Sequence, residues 1–266
     1  MKKKLIILVG LLIFIIIGVF FGYKMLRPSN VVKEGNITYY LNKDKTIKYA
    51  ERKEDNKIIE YQNFYPSSIY NKGQNKTNIQ YATILDDSGN INRTTEKEQN
   101  TGKSIAIYSY YPNAKYDENY LNKVKYIHVL EGDSTTIKYT IGKAENTGAV
   151  ISYITYYPDT AYNVSPMNHI EFTYSMDTKG NIRNGSHRPV DSTTVDYYFE
   201  YGTYISFEER DNSPIQKIYY IDENNFITYS VEKNEAGEEV KQIEYLPETK
   251  YGEHKERVKQ ETSLVD

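Results

Sequence analysis

The chain has 266 residues, with 33 Lys or Arg against 36 Asp or Glu, 29 tyrosines, no cysteine and no tryptophan. Without cysteine there are no disulfides, no thiolate metal sites and no cysteine catalysis. Beyond residue 30 the balance is 28 basic to 36 acidic residues, and an acidic surface of this kind repels phosphate backbones, which argues against nucleic acid as a partner.

Lys2, Lys3 and Lys4 precede an uncharged run from Leu5 to Tyr23, which Lys24 and Arg27 close. These 19 residues make about 28 Å of helix, enough to cross a hydrocarbon core. A cleaved signal peptide has a shorter apolar run and a small-residue cleavage site, and neither is seen here. Residues 1–27 are therefore predicted as an uncleaved single-pass anchor, with 5–23 in the bilayer. The three leading lysines outweigh Lys24 and Arg27, which places the N-terminus in the cytoplasm and residues 28–266 outside the cell. Gly18 and Gly22 form a GxxxG element through which two anchors could meet as a weak homodimer. Residues 28–35 read as a linker.

From residue 36 to 255 the sequence repeats. Phe64-Tyr65-Pro66, Tyr110-Tyr111-Pro112 and Tyr156-Tyr157-Pro158 place prolines 46 residues apart, and Tyr245-Leu246-Pro247 follows after 89. The double gap leaves room for one more copy, whose degenerate form is expected at Glu200-Tyr201-Gly202. A tyrosine stands four residues after each proline: Tyr70, Tyr116, Tyr162 and Tyr251. Each copy opens with a β-rich segment such as Asn78–Tyr81, turns through Gly, Asn and Asp, and enters a second strand at Ile47, Ile91, Ile137, Ile182 or Ile227. It turns again, as at Asn100-Thr101-Gly102, and ends a third strand at the proline. Short Tyr/Ile/Val/Thr runs between such turns are strands, and proline suits a strand end because it cannot donate to a ladder. The prediction is an all-β outer region of five copies of about 45 residues, each with three or four antiparallel strands. An open meander is preferred over a five-bladed propeller, whose four-stranded blades have a similar repeat length. Residues 256–266 are a charged tail, expected as a short helix or disorder.

The segments Ile151–Pro158, Asn100–Gly102 and Asp177–Ile182 resemble the repeats of a tyrosine-rich domain-of-unknown-function family from wall-less plant-associated and some Gram-positive bacteria. That family combines Ile-x-Tyr-Ile-x-x-Tyr-x-Pro with Thr-Gly-Lys and Asp-Gly-Lys turns. The resemblance covers most of 36–255. The chain departs from it in having Tyr-Tyr-Pro where Tyr-Asp-Pro is common. The family has no established activity, so the resemblance implies no catalytic residue.

Several motifs invite a function that the repeat explains better. Leu246-Pro247-Glu248-Thr249 begins like a sortase signal, but Lys250 follows and Pro247 is in repeat register. Asn100–Ser104 ends like a phosphate loop, but Lys97 occupies the position of its first glycine. His128, His169, His187 and His254 lack metal-ligand spacing and are expected at the surface or in turns. The sequence thus offers no catalytic, cofactor or metal residue and leaves the binding residues unknown.

The reading favoured is a non-catalytic surface protein whose tyrosines bind a protein or glycan. The alternatives are a carbohydrate-active envelope enzyme using a carboxylate pair, and a passive scaffold. Protease added to intact cells is expected to remove the tyrosine-rich part. Its survival until lysis would reverse the predicted orientation.

Overall fold

The computed structural model describes residues 30–163 and 166–265. The expected anchor at 1–27 and its Gly18–Gly22 contact lie outside the described residues. No helix among the described residues is long and apolar enough to cross a membrane.

The described chain is all-β, with 17 strands. β1 (Val31–Glu34) comes first. Copy one holds β2 (Ile37–Leu41), β3 (Ile47–Glu54) and β4 (Lys57–Phe64); copy two holds β5 (Ile79–Leu85), β6 (Ile91–Lys97) and β7 (Ser104–Tyr110). Copy three holds β8 (Val124–Leu130), β9 (Ile137–Lys143) and β10 (Val150–Tyr156); copy four holds β11 (Ile170–Met176), β12 (Ile182–His187) and β13 (Tyr197–Ile205). Copy five holds β14 (Ile215–Ile221), β15 (Ile227–Lys233) and β16 (Glu239–Tyr245), and β17 (Val258–Ser263) follows.

Each strand pairs antiparallel with the next, from β1/β2 to β16/β17, giving one open meander. The propeller alternative is not formed. The ladders β4/β5, β7/β8, β10/β11 and β13/β14 join successive copies into one sheet, whereas propeller blades are separate sheets. Two boundaries also change. The linker expected at 28–35 contains β1, and the tail expected at 256–266 as helix or disorder contains β17. Both strands pair main-chain groups of β2 and β16 that would otherwise lie at a sheet edge. Each copy has three strands. The stretch after the proline is a turn and a short 3₁₀ segment, as at Asn75–Asn78 and Tyr120–Lys123.

The register fixes where the cores sit. One row of directly paired residues runs Tyr39, Ala50, Gln62, Ala82, Thr95, Ile107, His128 and Thr140, and continues through Ile154, Thr173, Ser186 and Tyr198 to Tyr219. Directly paired side chains share a face, and chain neighbours point to opposite faces. Two residues before the end of its first strand, each copy presents Tyr39, Thr83, His128, Tyr174 or Tyr219. Tyr39, His128 and Tyr219 lie on the row, whereas Thr83 and Tyr174 are chain neighbours of row members. Equivalent residues of successive copies therefore occupy alternate faces. The cause is the odd strand count: each copy starts in the direction opposite to the last, and the half-turn that relates them exchanges the faces. The buried apolar residues accordingly form five clusters, around Tyr39, Tyr120, Ile154, Phe199 and Tyr219, and several draw residues from the next copy, such as Ile79 in the first and Ile218 in the fourth.

Tyrosines tie the copies together in both directions. After the third strand of copies one, two, three and five, proline and a left-handed residue (Ser67, Asn113, Asp159 or Glu248) turn the chain, and the opening isoleucine of the second strand donates its N–H to the carbonyl of Ser68, Ala114, Thr160 or Thr249. The turn brings an aromatic ring onto the third strand of the preceding copy. Tyr116 stacks on Tyr61 at 3.9 Å and Tyr251 on Tyr198 at 4.4 Å. In the other direction the tyrosine before the proline reaches the following copy. Tyr65, Tyr111 and Tyr157 donate to the carbonyls of Lys97, Lys143 and Arg188 over 2.5, 2.7 and 2.7 Å.

A second recurring pair lies inside each copy. Thr94 and Tyr110, Thr140 and Tyr156, and Ser230 and Tyr245 share side-chain hydrogen bonds of 2.8, 2.9 and 2.8 Å. Copy one has Ala50 and Phe64 at these positions, so both hydroxyls are missing together. Removing one buried partner costs about 1–3 kcal/mol, whereas replacing both by apolar groups can be nearly neutral. Tyr245→Phe and Ser230→Ala are each expected to cost that much in urea denaturation, and the double variant less than their sum. Strictly additive costs would contradict the pairing.

Candidate ligand-binding surface at copies four and five

Copy four departs from the pattern. The ladder pairs Tyr201 with Ile215 as it pairs Phe64 with Ile79 and Tyr110 with Val124. Tyr201 therefore stands at the first position of the tripeptide, and Gly202-Thr203 replaces Tyr-Pro. This corrects the Glu200-Tyr201-Gly202 alignment by one residue. Without proline β13 runs on, and Ile205 pairs with Ile182. Phe207 then takes the place of the loop tyrosine, stacking on Tyr153 at 3.9 Å beneath the Arg210 guanidinium, 4.0 Å from its centroid. Gly185 replaces the hydroxyl residue of the inner pair because Phe199 lies over it; an added Cβ would come within 2.4 Å of that ring. Tyr201 donates to the Arg210 carbonyl instead, over 3.3 Å.

Two cavities flank this copy. One of about 600 Å³ is lined by Tyr201, Gly202, Ile205, Pro214, Gln216 and Lys233. The other, about 350 Å³, is lined by Asp177, Asn181, Arg183, Asn184, Glu200 and Tyr204. Glu200 there accepts hydrogen bonds from Tyr219 and Tyr251 at 3.2 and 2.9 Å, and Asp177 accepts main-chain N–H groups of its own turn at 2.8 Å. Asp86 and Asp222 are held in the same way. These turn carboxylates serve local structure. Among the described residues no three His, Asp or Glu side chains converge as a metal site requires.

A row of rings crosses β11 to β15. Phe172, His187, Tyr197, Tyr220 and Tyr229 are directly paired in succession and half-buried. His187 stacks on Tyr197 at 4.6 Å and 13°, and Tyr220 on Tyr229 at 4.7 Å and 22°. Phe172, Tyr197, Tyr220 and Tyr229 also pack against the buried cluster around Phe199, which holds the row in place from beneath. The hydroxyls of Tyr197, Tyr220 and Tyr229 find no hydrogen-bond partner among the described residues, whereas most core tyrosines do. Burial pushes the Tyr197 phenol up to about 12 and raises that of Tyr220, so both remain neutral donors at ordinary pH.

His187 is fixed at one end of the row. Its Nδ1 lies 2.7 Å from Asp196 and its Nε2 3.3 Å from the Tyr157 hydroxyl. A Tyr–His–Asp chain invites comparison with nucleophilic catalysis. However, the Tyr157 proton is directed to the Arg188 carbonyl at 2.7 Å, and burial raises the Tyr157 pKa, with Glu171 and Asp196 adding to the shift. The phenol is held as a donor, and the network positions the imidazole.

The structure places His128 and His187 inside strands, His254 buried among rings in the 3₁₀ segment Tyr251–Glu256, and His169, half-buried, at the end of the 3₁₀ segment Pro166–His169, 3.6 Å from Asp191. The surface-or-turn expectation thus fails for His128 and His187. The ring row also escaped the sequence because its members come from five strands whose register is set by bulges. The only local signal was the loss of Tyr-Pro in copy four. Asn100–Ser104 is a hairpin turn between β6 and β7, with Asn100 and Gly102 left-handed. Pro247 occupies the repeat turn.

No protein-family profile and no curated protein matches the chain. Among solved structures, it is similar to a point mutant of S. aureus TarM in complex with fondaparinux, α-GlcNAc-glycerol and UDP, at 12% identity and TM-score 0.21, over 59% of this chain and 22% of TarM. A porin-like protein from Bacteroides uniformis matches at 10% identity and TM-score 0.15, over 88% of this chain and 92% of its own. A TcdB2–TccC3–Cdc42 structure matches at 12% and 0.15, over 79% and 14%. The chain therefore spans about a fifth of TarM, and at these scores none of the three carries an argument about function.

His128 gives a pH prediction. It is packed against Tyr162, bonded to Thr140 at 2.8 Å, and burial lowers its pKa to about 4. The unfolded chain, with an ordinary histidine near 6.5, binds the proton first. The stability contributed by neutral His128 is therefore complete above pH 6.5 and lost as pH falls toward 4. The loss is about 3 kcal/mol over that window. His128→Gln is expected to flatten this part of the stability–pH curve; an unchanged slope would contradict the assignment.

Proposed function

We propose that this chain is a membrane-anchored, non-catalytic surface protein that presents tyrosine-rich β repeats for protein or glycan binding, with the ring row of copies four and five as its contact surface. The anchor is residues 1–27, the N-terminus is cytoplasmic and residues 28–266 are extracellular. The observation that carries the reading is the alignment of three unpartnered tyrosine hydroxyls on rings already immobilised by stacking. Side chains ordered before binding lose little entropy on contact, and tyrosine offers both apolar area and a donor. The acidic outer region favours neutral or basic ligands over anionic ones.

Full-length protein in nanodiscs, screened against glycan and envelope-protein panels, provides the test. Tyr220→Phe with Tyr229→Phe, which removes the unpartnered hydroxyls and keeps the rings on the core, is expected to weaken a recovered ligand about tenfold, or about 1.4 kcal/mol, without lowering the melting temperature of the fold. A ligand indifferent to both changes would remove the row from the reading. Glycan turnover abolished by Glu200→Gln or Asp177→Asn would make the chain a carbohydrate-active enzyme. Binding to nothing on either panel would leave a passive scaffold.

A further inference from the structure

The larger cavity is the place of a missing tyrosine. In copies one, two and three the second residue of the tripeptide is Tyr65, Tyr111 or Tyr157, and its hydroxyl donates to the carbonyl six residues after the isoleucine that opens the second strand of the next copy: Lys97, Lys143 or Arg188. In copy four that residue is Gly202, and the matching carbonyl in copy five belongs to Lys233. Both line the cavity of about 600 Å³, and among the described residues no side chain donates to the Lys233 carbonyl. Copy four thus keeps the walls and the acceptor of a tyrosine site but lacks the ring.

The main chain does not demand the glycine. Gly202 is not among the left-handed glycines, and the three atoms nearest an added Cβ all belong to the end of the Gln216 side chain, with Oε1 at 3.1 Å. Gln216 corresponds to Lys125 of copy two, whose ammonium lies 5.7 Å from the centre of the Tyr111 ring. The position over the ring is therefore furnished as well. The space exceeds one phenol, leaving room for the main chain that carries it.

We propose that the copy-four cavity is a binding site for a tyrosine side chain of a partner protein, whose ring takes the place left at Gly202 and whose hydroxyl donates to the Lys233 carbonyl. The site is independent of the ring row, and either can fail without the other.

Calorimetric titration of the full-length protein with N-acetyl-tyrosinamide, N-acetyl-phenylalaninamide and the O-methyl ether of N-acetyl-tyrosinamide tests the proposal. The tyrosine probe is expected to bind. The other two, lacking the donor, are expected to bind about fivefold more weakly, as the loss of one neutral hydrogen bond requires. Gly202→Tyr should fill the site from within and abolish binding while holding or raising the melting temperature. Gly202→Leu, which introduces the residue that copy five carries as Leu246, should block the site as well if the tyrosine variant does not fold. No binding by the tyrosine probe, equal affinity for all three probes, or undiminished binding to a folded Gly202 variant would each overturn the proposal.

Discussion

The constraint on which this structure depends is arithmetic: three antiparallel strands per copy. With an even number, successive copies would run the same way and stack their apolar residues on one face. With three, every copy is reversed and inverted, so no continuous core can form on either side. Each copy must cover its own patch, and the stretch after the third strand does this by folding back over the face where that patch lies. The proline turn, the left-handed residue behind it and the aromatic ring four positions on follow from that requirement.

Tyrosine suits such a sheet better than leucine. A single layer has no second sheet to shut out water, so its apolar residues sit near polar main chain and solvent. A phenol buries a ring there and still satisfies its hydroxyl. Tyr65, Tyr111 and Tyr157 show this role between copies, and Tyr110, Tyr156 and Tyr245 within them. The exceptions are equally informative. Phe64 appears where its partner is Ala50, and Leu246 where the described chain provides no following second strand. A hydroxyl is present where there is something for it to reach, and Gly202 stands out because the acceptor remains while the ring does not.

Much of the fold was legible because it is local. Ile47, Ile91, Ile137, Ile182 and Ile227 open second strands as expected, since apolar alternation and Asx turns are written within a dozen residues. The polar strands β1 and β17 were not legible. β17 is exposed along its whole length, so it carries no alternating pattern, and only pairing with β16 makes it a strand. The alternation of faces was hidden as well, because it follows from how many strands each copy contributes to the sheet and from no residue within a copy. The candidate surface inherits that difficulty: Phe172, His187, Tyr197, Tyr220 and Tyr229 come together through register, and no short motif records it.

The strictly sequential pairing has a mechanical meaning. Tension applied between β1 and β17 runs along the line of stacking, so it loads the ladders in series and opens them like a zipper rather than shearing them together. Because neighbouring copies share buried residues, as Ile79 and Ala82 of copy two do with copy one and Ile218 and Val231 of copy five with copy four, a strand pair lost in one copy loosens the core beside it. The array should lengthen progressively from its ends and close again in the reverse order, yielding in small steps rather than as one brittle body.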